Sequence, residues 1–216
     1  MKKLLVLCFC VFFFFGCGKK EDTIVDDSSF IPNKIYDDKE YVYDEIINSY
    51  NMNNSTYSLK MVYINLDSED AKNINMEIRS FINRSYKEYV VQNSTLVRGN
   101  IINYDYYVSK HFISLRLNYY YLIQDVNDDI KYNIYVVSLD TGKIMSNESL
   151  LKFYDLSIDD IYSKLEETYN GEDYLFTLRN IKDNGYSLYV NSDDQLVMLY
   201  YEVTDDESIK KELILN

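Results

Sequence analysis

All three cysteines of this 216-residue chain, Cys8, Cys10 and Cys17, fall within its first seventeen residues. The 199 residues that follow must therefore fold with no disulfide, on an apolar core alone. The same distribution leaves the folded region without a thiol nucleophile. A stretch of that size suits one core and leaves little room for two. We expect a single domain over residues 34–216, with its core at about 57–216.

The segment that holds the cysteines has a different character. Lys2 and Lys3 lead into an apolar run from Leu4 to Phe15, which ends at Gly16-Cys17. Twelve residues are too few to cross a hydrocarbon core about 30 Å thick, which takes roughly 20 residues of helix. A basic start, a short apolar stretch and a small residue before cysteine resemble a bacterial lipoprotein signal peptide over residues 1–16. The resemblance implies that Cys17 is acylated and becomes the mature N-terminus, placing the chain on the extracytoplasmic side of the bacterial cell membrane. An ordinary signal without lipid and an uncleaved N-terminal anchor are the alternatives.

From Gly18 to Asn33 the sequence is polar and acidic and holds the only proline, Pro32. It has too little apolar surface to order itself, and with Cys17 it reads as a tether over residues 17–33. Ile35 to Asn51 has a weak helical spacing at Tyr43, Ile46, Ile47 and Tyr50, which predicts a short helix.

Further on the periods are clearer. Leu59 and Met61 to Leu66 read as a strand, after which Asp67 or Ser68 can cap a helix whose first turn holds Glu69 and Asp70. Ile74, Ile78, Phe81, Ile82, Tyr86 and Tyr89 recur at three and four residues, an apolar stripe from about Ser68 to Val91. Met76, Arg79 and Lys87 fall on its solvent side. Long runs rich in Tyr, Val and Ile follow. Ile113, Leu115, Leu117, Tyr119 and Tyr121 alternate with Phe112, Ser114, Arg116, Asn118 and Tyr120, a strand with one core face and one partly wet face.

The acidic segment Asp125 to Asp129 separates this strand from a second run, Tyr132 to Leu139, which meets a turn at Asp140-Thr141-Gly142-Lys143. One helical turn is expected at Ser149 to Phe153. Ser157 can cap a helix carrying Ile158, Ile161, Tyr162, Leu165 and Tyr169, which stops near Gly171. Tyr186 to Val190 and Leu196 to Val203 flank the turn Asn191 to Asp194, with an edge strand at Glu212 to Leu215. The fold class is thus α+β, a mainly antiparallel sheet with one long amphipathic helix and one or two shorter ones.

The helix around Asp70 to Asn75, the strand and turn Val137 to Lys143, Leu150-Leu151 and the closing hairpin Tyr186 to Tyr201 together resemble the RsiV-type extracellular domain. That domain occurs in a lysozyme-sensing anti-sigma factor and beside the catalytic domain of some peptidoglycan deacetylases. The resemblance implies an extracellular binding module with a lysozyme-like partner. Asp125 to Asp129 stands where the family often carries a Gly-Gly-Ala-His-like segment. No sigma-binding segment is expected ahead of the domain, because only the leader precedes it.

The inventory for chemistry is thin. His111 is the only histidine, so a site built on two or three imidazoles, as zinc often needs, has no ligands here. It sits at a strand start without a nucleophile motif nearby, and reads as structural or solvated. The acidic pairs Asp128-Asp129, Asp159-Asp160, Glu166-Glu167 and Asp193-Asp194 are adjacent in sequence, which does not set two carboxylates across a scissile bond. Asp125 to Asp129 opens like a calcium loop, but Ile130 and Val136 occupy the glycine and glutamate positions that an EF-hand requires. No glycine-rich phosphate loop exists among the six glycines. No cofactor, metal or catalytic residue is assigned.

Charge has a sign that matters. The formal net charge is -13, and loss of Lys2 and Lys3 with the leader makes it -15. Such a surface repels nucleic acid and suits a cationic partner. Tyrosine supplies most of the aromatic content, with 24 Tyr against 10 Phe and no Trp. The expected function is a membrane-anchored, non-catalytic binding or sensing domain for an envelope protein, peptide or cell-wall glycan, with Tyr119, Tyr120, Tyr121, Asp125, Asp128 and Asp129 as its contact region. The alternative is a carboxylate-dependent hydrolase of envelope polymers.

Overall fold

The computed structural model describes residues 35, 40–52, 55–91, 97–123, 126–203 and 208–216. Cys17 and the tether lie outside them. The fold is α+β and every strand pairing in it is antiparallel. The strands form three separate sheets, not one.

The first sheet is a hairpin of β1 (Val42–Met52) and β2 (Ser55–Ile64). β1 replaces the short helix expected over residues 35–51. Its weak helical spacing loses to a ladder with β2, in which Tyr43 lies opposite Tyr63 and stacks on it with ring centroids 4.9 Å apart. Val42 and Tyr43 are buried by that pairing, and an isolated helix of such length would be marginal.

Helix α1 (Glu69–Val91) follows. Ser68, not Asp67, is its cap: the Ala71 amide donates to Ser68 Oγ at 3.1 Å. Ala71, Ile74, Asn75, Ile78, Arg79 and Ile82 are buried. Arg79, expected in solvent, is 5 % exposed, because it falls four residues after Asn75 at the margin of the stripe. Asn75 substitutes for a strand at the edge of β2. Its Oδ1 accepts from the Ile64 amide at 2.8 Å and its Nδ2 donates to the Ile64 carbonyl at 3.1 Å.

The central sheet is a meander of β3 (Val97–Val108), β4 (Phe112–Ile123) and β5 (Val126–Ser138). Alternation along these strands divides the molecule into two cores. Ile113, Leu115, Leu117, Tyr135 and Val137 face α1 and the first hairpin. Phe112 and Val136 face the opposite way, into the second core. The supposedly wet face of β4 is therefore interior: Ser114, Arg116 and Asn118 are 0 %, 5 % and 9 % exposed. A third layer covers it, and the Val190 amide donates to Ser114 Oγ across the gap at 3.0 Å.

That layer holds α2 (Asn147–Phe153), α3 (Ile158–Thr168), α4 (Gly171–Asn184) and the sheet β6 (Tyr186–Val190), β7 (Leu196–Val203) and β8 (Ser208–Ile214). α2 begins two residues before the expected turn, with Ser146 Oγ accepting from the Ser149 amide. Ser157 and Asp160 form a capping box at α3. α3 stops at Thr168, close to Gly171 as expected, but Gly171, at φ +57°, opens a further helix, α4, that the spacing did not predict. β8 runs longer than the edge strand expected at its end.

One close approach locks the first core to the central sheet. After β5 the chain turns through Gly142 at φ +68°, where an added Cβ would stand 2.6 Å from Ser68 Cβ. Only glycine fits both the angle and the space. Beside it the Ile144 amide donates to Asp70 Oδ2 at 2.8 Å, so an acid of the first turn of α1 also anchors the β5 turn.

Candidate functional site

β3 carries the sequence Tyr104-Asp105-Tyr106-Tyr107, and the period of two sends its members to opposite sides. Tyr104 and Tyr106 lean on the first core, and Tyr107 on the second. Two polar constellations result.

The outer one lies where β1 passes β3. Tyr104 and Tyr106 are ring neighbours with centroids 6.4 Å apart. The Tyr104 hydroxyl donates to Asp44 Oδ1 at 2.8 Å, and the Tyr106 hydroxyl donates to the exposed carboxylate of Glu40. Lys60 Nζ stands 3.0 Å from Asp44 Oδ2. Burial pushes the Asp44 carboxyl up, but the Tyr104 hydroxyl and the Lys60 ammonium outweigh it and hold the group below its usual value. Burial, then the hydrogen bond to Asp44, raises the Tyr104 hydroxyl to about 12. The strip offers two aromatic rings flanked by carboxylate oxygens, which suits recognition of hydroxyl-rich or cationic groups.

The inner one is built around a buried arginine. Arg116 of β4 places Nη2 2.9 Å from Asp105 Oδ2 of β3 and Nη1 2.6 Å from Glu212 Oε1 of β8. Its guanidinium lies 5.4 Å from the Tyr107 ring centroid and 5.2 Å from that of Tyr189, and these rings stack on each other. Burial disfavours the guanidinium charge, and the two carboxylates more than restore it. Glu212 is likewise pushed up by burial and then drawn down, on balance, by Arg116. This arrangement ties β3, β4, β6 and β8 together and engages its charges internally.

The residues assigned from sequence sit elsewhere. Tyr119, Tyr120 and Tyr121 lie in β4, with Tyr119 opposite Ile102 of β3 and Tyr121 opposite Asp128 of β5. Asp128 and Asp129 are thus strand residues and not part of a polar loop, since β5 starts at Val126 and pairs with the end of β4. Asp125 and Cys17 lie outside the described residues. His111 precedes β4; its Nδ1 is 2.8 Å from Asp140 Oδ2, and its ring sits 5.5 Å from that of Phe153. Among the described residues no group of three or more His, Cys, Asp or Glu side chains could hold a metal ion.

Glu40, Asp44, Tyr104, Tyr106 and Arg116 were not singled out from sequence. The two-residue spacing of Tyr104 and Tyr106 is the available signal, together with an arginine midway along β4. Among the described residues no helix is long and apolar enough to cross a membrane. No family model matches this chain, and no curated protein matches it significantly.

Proposed function

We propose that the chain is a bacterial surface lipoprotein, acylated at Cys17 and held on the extracytoplasmic face of the cell membrane, whose α+β domain binds an envelope protein, peptide or cell-wall glycan without catalysis. The observation that carries this reading is the outer strip, in which Tyr104 and Tyr106 stand beside the carboxylates of Asp44 and Glu40. Tyrosine rings and carboxylates side by side recognise sugar hydroxyls and cationic side chains, and the formal charge of -13 favours a cationic partner. The likeness to RsiV-type domains supports the same reading and makes a lysozyme-like enzyme the first protein to try.

Two measurements test it. Cys17→Ala should release the chain from the membrane fraction or leave it unprocessed; unchanged retention without a mass shift overturns the anchor. Incubation of the full chain with purified wall polymer separates binding from hydrolysis. Retained, uncleaved polymer agrees with the proposal, whereas soluble fragments that accumulate with turnover assign the alternative, a carboxylate-dependent hydrolase.

A further inference from the structure

Helix α4 buries one side and leaves the other uncovered. Thr177 and Ile181 are buried, while Glu172, Leu175, Phe176, Arg179 and Asp183 are exposed. These five, among exposed residues of α4 that also include Asp173 and Lys182 at the margins, follow the i, i+3, i+4, i+7, i+11 spacing of a single helix face. Leu175 at 60 % and Phe176 at 40 % exposure are two large apolar side chains in water at its centre.

The order of charges around that centre is self-complementary. In an antiparallel pair of α4 helices related by a two-fold axis between positions 175 and 176, Leu175 of each copy meets Phe176 of the other. The same axis sets Glu172 against Arg179, twice. No other assignment is needed to cover the apolar pair and oppose unlike charges. We infer that the exposed face of α4 is a homodimer contact, isologous about a two-fold axis. One helix face is small against the roughly 1,200 Å² of a stable interface, so the dimer is weak in dilute solution. This inference stands apart from the binding reading.

The full chain, reconstituted into liposomes, gives the test. Leu175→Cys and Phe176→Cys chains carrying tags of different size are mixed and oxidised, with the unsubstituted chain as the blank. The expected result is a disulfide-linked heterodimer. In the same background, Glu172→Arg or Arg179→Glu alone should lower its yield at least fivefold, and the two together should restore it to within twofold. Circular dichroism of each variant confirms that the fold is kept. Absence of the heterodimer overturns the contact, as does a yield indifferent to charge reversal or a double reversal that fails to rescue.

Discussion

Arg116 and Glu212 meet at 2.6 Å across 96 residues of sequence, and their contact fastens the last strand to the central sheet. Asp105 takes the other guanidinium nitrogen, and Arg116 is only 5 % exposed, so removing the cation takes away two charge-assisted contacts and leaves Asp105 and Glu212 facing each other's charge at the edge of the second core. Arg116→Met is expected to destabilise the fold by about 1.5–3 kcal/mol, the range of charge-assisted hydrogen bonds, because both carboxylates keep access to water, with Arg116→Lys between it and the wild type. Denaturant unfolding of the three chains measures this. Equal midpoints would show that the node carries no stability.

The same pair sets the acid response. Glu212 has a folded value below its ordinary 4.5, so its contribution is present above that value and fades as the pH falls through the folded one. Asp44 adds in the same sense below its ordinary 3.8. Stability should fall on acidification below about pH 4.5, and Glu212→Gln should flatten that slope. At neutral pH the substitution is expected to cost near the low end of the about 1.5–3 kcal/mol range of a charge-assisted hydrogen bond, because the Glu212 side chain is 38 % exposed. An unchanged acid slope in the variant contradicts the assignment.

At high pH the sign reverses. The Tyr104 hydroxyl is raised from its ordinary 10.0 to about 12, and burial also raises Tyr154, Tyr189 and Tyr200. A raised folded value means that the contribution is full below pH 10 and is lost as pH rises toward the folded value. Tyrosinate absorbance followed alongside circular dichroism should show a late group of hydroxyls that ionise only as the chain unfolds. All tyrosines ionising near 10 in a folded chain is the opposing result.

Asn75 and Gly142 test the joint between α1 and its neighbours. Asn75→Ala leaves the buried Ile64 amide and carbonyl without their side-chain partner, at about 1–3 kcal/mol for each group. Gly142→Ala meets Ser68 Cβ and the positive φ together, and should lower stability by about 1–3 kcal/mol. Thermal unfolding of both variants checks this, and midpoints matching wild type would remove the joint from the account.

What could be read beforehand was local. Ser157 as the cap of α3, the start of α1 within a residue of Ser68 and the alternation of β4 all follow from spacing and side-chain chemistry within a few positions. What escaped the reading depends on distant partners. β1 is a strand because β2 supplies its ladder and Tyr63 its stacking surface. Ser114, Arg116 and Asn118 appear polar and therefore wet, yet the third layer covers them, with the Val190 amide reaching Ser114 from 76 residues away. Gly171 signals an end to α3, but no local feature announces that α4 resumes at once. The outer strip was hidden for the same reason, since Glu40 and Asp44 meet Tyr106 and Tyr104 from sixty or more residues away.

Binding at the cell surface, as proposed, is checked by a binding isotherm. The full chain, purified in detergent and immobilised, is titrated with fractionated envelope protein, with wall glycan and with lysozyme. Saturable binding to at least one of them is expected, reduced tenfold or more by Tyr104→Ala with Tyr106→Ala in a chain that still folds. No saturable binding to any fraction contradicts it.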